Sequence, residues 1–287
     1  MRRVLPVASV TAAILVIWYL AAVLMNLAWE RDQAARAGVE PGIGQMIAAT
    51  MAQARPVLPA PHQVAVELWE TTAEKRVTSK RSLIYHGWIT LSATLMGFVI
   101  GTLLGILLAV GIVHVRAMEL SVMPWVIASQ TIPILAIAPM IIVVLNAVGL
   151  SGLLPKALIS AYLSFFPVVV GMVKGLRAPD RLQIDLMATY GASPAQVFWK
   201  LRVPASVPYL FASLKVAVAI SLVGAIVGEL PTGAVEGLGA RLLAGSYFGQ
   251  TLQIWSALFA AAILAALLVA SVALAGRVVN NAMGARP

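Results

Sequence analysis

Six long apolar runs, separated by shorter polar stretches, set the pattern of this chain. They lie near 4–28, 88–113, 121–145, 153–176, 206–229 and 252–276, each close to the ~20 residues a helix needs to cross a bilayer core. The pattern predicts an all-α integral membrane protein with about six transmembrane helices. The first run follows Arg2-Arg3 and far exceeds the roughly 7–15 apolar residues of a signal-peptide core, so 1–28 is expected to be an uncleaved signal-anchor helix. The one substantial polar region is 29–87. Within it, 34–55 mixes small and polar residues with Gly42 and Gly44 and reads as a loosely ordered connection. Pro61-His62-Gln63-Val64-Ala65-Val66-Glu67-Leu68-Trp69 reads as a short helix along the outer membrane surface, where tryptophan is favoured. A membrane core over 88–276 and a short tail over 277–287 complete the division.

The stretch DRLQIDLMATYGASPAQVFWKLRVP, residues 180–204, is polar and basic between two apolar runs. Asp180 can cap a first helix, on which Leu182, Leu186 and Tyr190 recur at spacing four. Gly191 ends it, because a residue tolerant of positive φ closes a helix cheaply. Ser193-Pro194-Ala195-Gln196 opens a second helix as a capping box with proline in the first position, and Pro204 is expected to stop it. Such a unit is built to meet something in water. An amphipathic loop resting on lipid headgroups would show the same helix pattern.

This stretch resembles the cytoplasmic EAA loop of ABC-importer permeases, the binding-protein-dependent inner-membrane components. That family shows Glu-Ala-Ala, three residues, Gly, nine residues, then Ile-x-Leu-Pro. Here Gly191 and Pro204 keep the spacing, Leu201 and Val203 hold the aliphatic positions, and Asp185-Leu186-Met187 replace Glu-Ala-Ala. The resemblance runs from about Leu58 to Ala270 and is nearest the nitrate, sulfonate and taurine branch. It is carried by Leu58-Pro59-Ala60-Pro61, Leu68-Trp69, Thr90-Leu91, Gly97-Phe98, Gln130-Thr131-Ile132-Pro133, Phe166-Pro167 and Gly237-Leu238-Gly239.

The resemblance implies a type I permease fold with a cytoplasmic coupling helix in the 178–204 loop. It implies an ATPase subunit docked on Asp185, Tyr190, Gly191, Ala192 and Ser193, framed by Leu201, Val203 and Pro204. A solute-binding protein and a second permease copy, as a homodimer, are the other implied partners. ATP would be held by the ATPase, with no cofactor on this chain. The implied substrates are nitrate, sulfonates or taurine, or a small organic solute such as riboflavin or a pyrimidine precursor.

Composition agrees with a membrane protein: 61% of residues are hydrophobic and 11% charged, against about 25% charged in a soluble domain. The net charge of +9 is spread between the apolar runs without interleaved aromatics, which argues against nucleic acid. Short loops orient the chain. Arg2, Arg3, Arg116, Lys174, Arg177, Arg181, Lys200, Arg202, Arg277 and Arg286 fall on one side, predicted to be cytoplasmic with both termini. The other side holds Lys156, Arg241 and the basic residues of 29–87, which are interleaved with acids. The location implied is the cell inner membrane, crossed several times.

Ala93, Gly97, Gly101, Gly105 and Ala109 form one row at spacing four in the second run. Small residues in register let a neighbouring helix approach closely; which helix it meets cannot be read from the row. Pro124, Pro133 and Pro139 interrupt the third run, beside Gln130, Thr131 and the later Asn146. Each proline frees a backbone carbonyl that must find another partner or a wet cavity, so Gln130, Thr131, Pro133 and Asn146 are pathway candidates. Lys215 lies deep in the fifth run and must snorkel, pair or face water; it suits an anionic solute or a reach toward cytoplasmic phosphates. Glu229 ends that run, as a gate contact or as a boundary acid.

No Gly-x-x-x-x-Gly-Lys-Ser/Thr loop is present, so no ATPase site of the usual kind. With no cysteine, and with His62, His86 and His114 far apart, no metal site is predicted. The alternative of an ion-coupled carrier wants chains of intramembrane acids or histidines, and Lys215 and boundary Glu229 are the clear ionisable residues within the runs.

Overall fold

The computed structural model describes residues 4–231 and 235–284; Arg2, Arg3 and Arg286, used above for orientation, lie outside them. Among the described residues all regular structure is helical. Five helices are long and apolar enough to cross a membrane, or six if one sharply bent pair counts as a span. The chain divides into two compact units, one of residues 1–87 and 240–261 and the other of residues 88–239 and 262–287.

In the first unit α1 (Val4–Ala37) runs nine residues beyond the predicted boundary at 28. The predicted loose connection is instead ordered. α2 (Ile43–Ala52) and α3 (Pro61–Trp69) flank an extended turn held by one residue, Asn26. Its side chain is fully buried; Oδ1 accepts the N–H groups of Val57 and Leu58 at 2.8 and 3.3 Å, and Nδ2 donates to Leu58 O at 2.9 Å and Thr50 O at 3.3 Å. A proline-rich turn cannot satisfy its backbone by a regular ladder, so a side-chain amide does it. Trp18 Nε1 donates to Pro59 O at 3.0 Å, and the Trp18 ring stacks on Phe259.

The second unit is built on α7 (Leu153–Leu176) and α10 (Val203–Gly228). They pack through small residues along their whole length: Gly175 against Ser206, Gly171 against Ser213, Gly224 against Ser160 and Gly228 against Lys156. The glycine row of α4 (Leu83–His114) meets α7 of the same subunit. A Cβ at Gly97, Gly101 or Gly105 would lie within 3 Å of Ser160, Ser164 or Val168 respectively. Ala93 and Ala109 are fully buried at the ends of the row. A polar rung crosses the three helices: Ser160 Oγ donates to Ser221 O at 2.8 Å, and Ser221 Oγ donates to Thr94 O at 2.9 Å.

The third predicted span is not one straight helix. It is split into α5 (Arg116–Ser129) and α6 (Ile134–Ala147), which meet at an angle of 100°. Pro133 lacks an N–H and disfavours helical backbone at Ile132, so the ladder fails there. Pro124, Pro139 and Pro167 are carried inside continuous helices, so proline alone does not decide where a span breaks.

Candidate functional site

The elbow between α7 and α10 begins with α8 (Arg181–Thr189). Asp180 is its N-cap in extended backbone, and its N–H donates to Gln183 Oε1 at 3.1 Å. The helix closes by a Schellman turn: Gly191 N donates to Ala188 O at 2.9 Å and Ala192 N to Met187 O at 3.0 Å. Gly191 supplies the left-handed residue, with φ of +68°. A second capping box follows at once, Gln196 N donating to Ser193 Oγ at 3.3 Å and Ser193 N to Gln196 Oε1 at 2.9 Å. The elbow angle is therefore fixed by backbone–backbone hydrogen bonds before Gly191 and by a side-chain capping box after it.

α9 (Pro194–Val197) does not stop at Pro204. It passes through a π turn, Phe198–Arg202, straight into α10. At the turn Val203 N reaches back to Phe198 O. Proline would clash with the carbonyl four residues earlier and cannot donate; widening the ladder by one residue relieves both demands. The result is one helix from Pro194 to Gly228, 35 residues long.

α8 buries none of its side chains. Leu182, Leu186 and Tyr190 stand 77%, 56% and 81% exposed on one stripe, with Asp185 and Ser193 exposed beside them. Leu201, Val203 and Pro204 are half-buried, and Val203 joins Phe198 in packing against the α7 core. Phe198 also meets His114 edge-on at 5.0 Å, which ties the elbow to the end of α4. Arg177 pairs with Glu119 of α5 at 2.9 Å on the same end. A helix whose base is anchored and whose apolar stripe is bare can present that stripe to a separate body.

The pathway candidates do not converge. Gln130, Thr131 and Pro133 sit together at the α5–α6 break, all exposed, while Tyr162 of α7 hydrogen-bonds Ser129 O beside them. Asn146 lies at the far end of α6 and is exposed. Lys215 stands on the exposed side of α10, with Val216 and Val223, turned away from the buried stripe of Ala217, Ser221 and Gly224.

Glu229 is fully buried. Both its oxygens lie 2.9 Å from the donating Thr90 Oγ1, and Oε2 also accepts the Gly239 N–H at 2.9 Å. The Lys156 ammonium lies 4.0 Å away. Asn26, Thr90 and Lys156 were not singled out by sequence as site residues. For Asn26 the available signal was an amide inside an otherwise apolar run; for Thr90 and Lys156 their partners lie 139 and 73 positions away, beyond any local pattern.

The chain matches the family described as binding-protein-dependent transport system inner membrane component over residues 101–284. It is 30% identical to a probable ABC transporter permease of Haemophilus influenzae, over 70% of this chain and 77% of that protein. A formylaminopyrimidine transport permease of Halalkalibacterium halodurans is 33% identical, over 64% of this chain and 68% of its own length. A riboflavin transport system permease of Chloroflexus aurantiacus is 33% identical over 65% of each chain.

Proposed function

Because the chain belongs to the family of binding-protein-dependent transport system inner membrane components, and so is the permease component of an ABC importer, we propose that it passes a small organic solute of the pyrimidine or flavin kind. The substrates named for two relatives at 33% identity support that class. ATP is bound and hydrolysed by a partner ATPase, and an extracytoplasmic binding protein delivers the solute. The 178–204 elbow and both termini face the cytoplasm. Asp185, Tyr190, Gly191, Ala192 and Ser193 form the ATPase contact, on a base of Leu201, Val203 and Pro204.

One arrangement carries this reading: the rigidly capped elbow exposes Leu182, Leu186 and Tyr190 at the root of a helix of 35 residues. Such an apolar stripe at the end of a long lever suits a partner that moves. ATP and the loaded binding protein must then favour different permease states, since a ligand shifts an equilibrium only by its differential affinity.

Two copies would form the passage. At the α5–α6 break the helix is interrupted beside the exposed side chains of Gln130 and Thr131, and irregular backbone at membrane depth is tolerated only where it is buried in protein or lines water. A water-filled passage shared with a second copy is the setting that satisfies it. Lys215 and Asn146 are proposed to line that passage.

The test is uptake into proteoliposomes containing this chain, its ATPase and its binding protein. ATP-dependent uptake of a pyrimidine or flavin that needs all three components is expected. Uptake that persists without any ATPase, driven by an ion gradient, would overturn the reading in favour of a carrier.

A further inference from the structure

The helix that starts at the elbow ends on the Glu229 carboxylate. Its 35 residues, Pro194–Gly228, span about 52 Å at about 1.5 Å per residue; α8, which carries the docking stripe, joins its near end through the Gly191 turn, and Glu229 follows its far end. At the Glu229 end four polar groups from three other elements converge. Thr90 Oγ1 of α4 donates to the carboxylate and accepts the Leu238 N–H at 2.9 Å, and Gly239 N donates to Oε2 at 2.9 Å. Lys156 of α7 faces Oε1 at 4.0 Å and donates to Glu236 O at 3.1 Å. The turn before α11 (Leu238–Tyr247) closes directly over the acid. A Cβ at Gly237, where φ is +121°, would lie 2.2 Å from Glu229 Cδ. A Cβ at Gly239 would lie 2.4 Å from Ile226 O. Among the described residues this turn packs directly onto the acid, which is the arrangement of a joint.

We propose that Glu229 is a positioning residue for transport: it clamps the 236–239 turn to the end of α10, so that a push on the elbow displaces this turn with the helix. The inference rests on the permease reading above. The chemistry asks for a carboxylate here, because among the described residues Thr90, Gly239 and Lys156 face it with donors or a cation. Glutamine would turn two N–H groups toward Thr90, Gly239 or Lys156 and lose at least one of these contacts. A charged acceptor at a helix start also grips backbone N–H groups more strongly than a neutral one.

The chain has no cysteine, which makes a labelling test clean. Val235, beside the turn, is 74% exposed. In the assembled complex with its ATPase, Val235→Cys is labelled by a membrane-impermeant maleimide without nucleotide and after vanadate trapping. Ala188→Cys on the elbow, cross-linked to the ATPase, reports docking in parallel. With Glu229 intact, the labelling rate should change by about fivefold or more between the two states, the lower end of usual couplings between sites. With Glu229→Gln or Thr90→Val it should change less than about twofold, the elbow cross-link unaltered. Thr90→Val keeps both charges and decides the matter if Glu229→Gln fails to assemble. Nucleotide-dependent labelling that survives in both variants would overturn the clamp. So would labelling indifferent to nucleotide in the unaltered background while the elbow cross-link forms, which leaves the permease reading intact. An elbow that never captures the ATPase would end both.

Discussion

Replacing Gly97 by alanine tests the helix packing on which every later argument depends. A Cβ there would sit 2.4 Å from Ser160 Cβ and 2.5 Å from Ala157 O, whereas carbon contacts are comfortable at about 3.5 Å. One of these neighbours is backbone, so α4 and α7 must part by about 1 Å. Overpacking of this kind costs about 1–3 kcal/mol. The parting also stretches the Thr94–Ser221–Ser160 rung, whose membrane hydrogen bonds are worth about 0.6 kcal/mol each. Gly87→Ala is the control, because it lies in the same helix with nothing within 4 Å of the added atom. It shares the helix-propensity gain of about 1 kcal/mol without the clash. Relative to Gly87→Ala, Gly97→Ala should be less stable by about 2–4 kcal/mol, or roughly 5–15 °C in a chain of this size. Thermal unfolding in detergent, followed by size-exclusion fluorescence, measures it. Ser160→Gly should rescue only partly, since Ala157 O remains in the way. A melting temperature for Gly97→Ala equal to that of Gly87→Ala would refute the close α4–α7 contact.

Two further outcomes follow from single side chains. Asn26→Leu leaves the part-buried N–H groups of Val57 and Leu58 without their acceptor, at up to about 1–3 kcal/mol each; limited digestion with proteinase K should nick the 53–60 segment several times faster, with the rest of the chain unaffected. Gly191→Val forces a β-branched residue to φ of +68°, costing about 1–2 kcal/mol, yet nothing lies within 4 Å of the added carbon. It should lower the melting temperature by roughly 2–8 °C and weaken co-purification with the ATPase, while Gly191→Asn, tolerant of that backbone, retains both.

How much of this could be read from sequence depended on the range of the interaction. Local signals were legible. The apolar runs marked the long helices, and Asp180, Gly191 and Ser193 marked the elbow, because capping acts within four residues. The small-residue row on α4 announced a close neighbour but carried no information on which one; complementary Ser160, Ser164 and Val168 lie some sixty positions on. Proline misled twice, in opposite directions. Pro204 reads as a stop, and a π turn carries the helix past it; the third run reads as one kinked span, and Pro133 folds it by 100°. The 34–55 segment reads as loose by composition, because the amide that orders its neighbourhood belongs to Asn26, in a different helix. The Glu229 joint was hidden for the same reason: it gathers Thr90, Lys156 and Gly239, and only the folded chain brings them together.

The central claim is that the elbow is the seat of a separate ATPase. Its most direct measurement places Ala188→Cys on the cysteine-free chain and cross-links the membrane-embedded complex with a short thiol reagent. A product with the ATPase subunit, formed from the cytoplasmic side and abolished by Leu182→Asp with no change in melting temperature, is the result predicted; a surface change so exposed should alter stability by no more than about 0.5 kcal/mol. Reaction of Ala188→Cys from the outside, or undiminished cross-linking in Leu182→Asp, would contradict it.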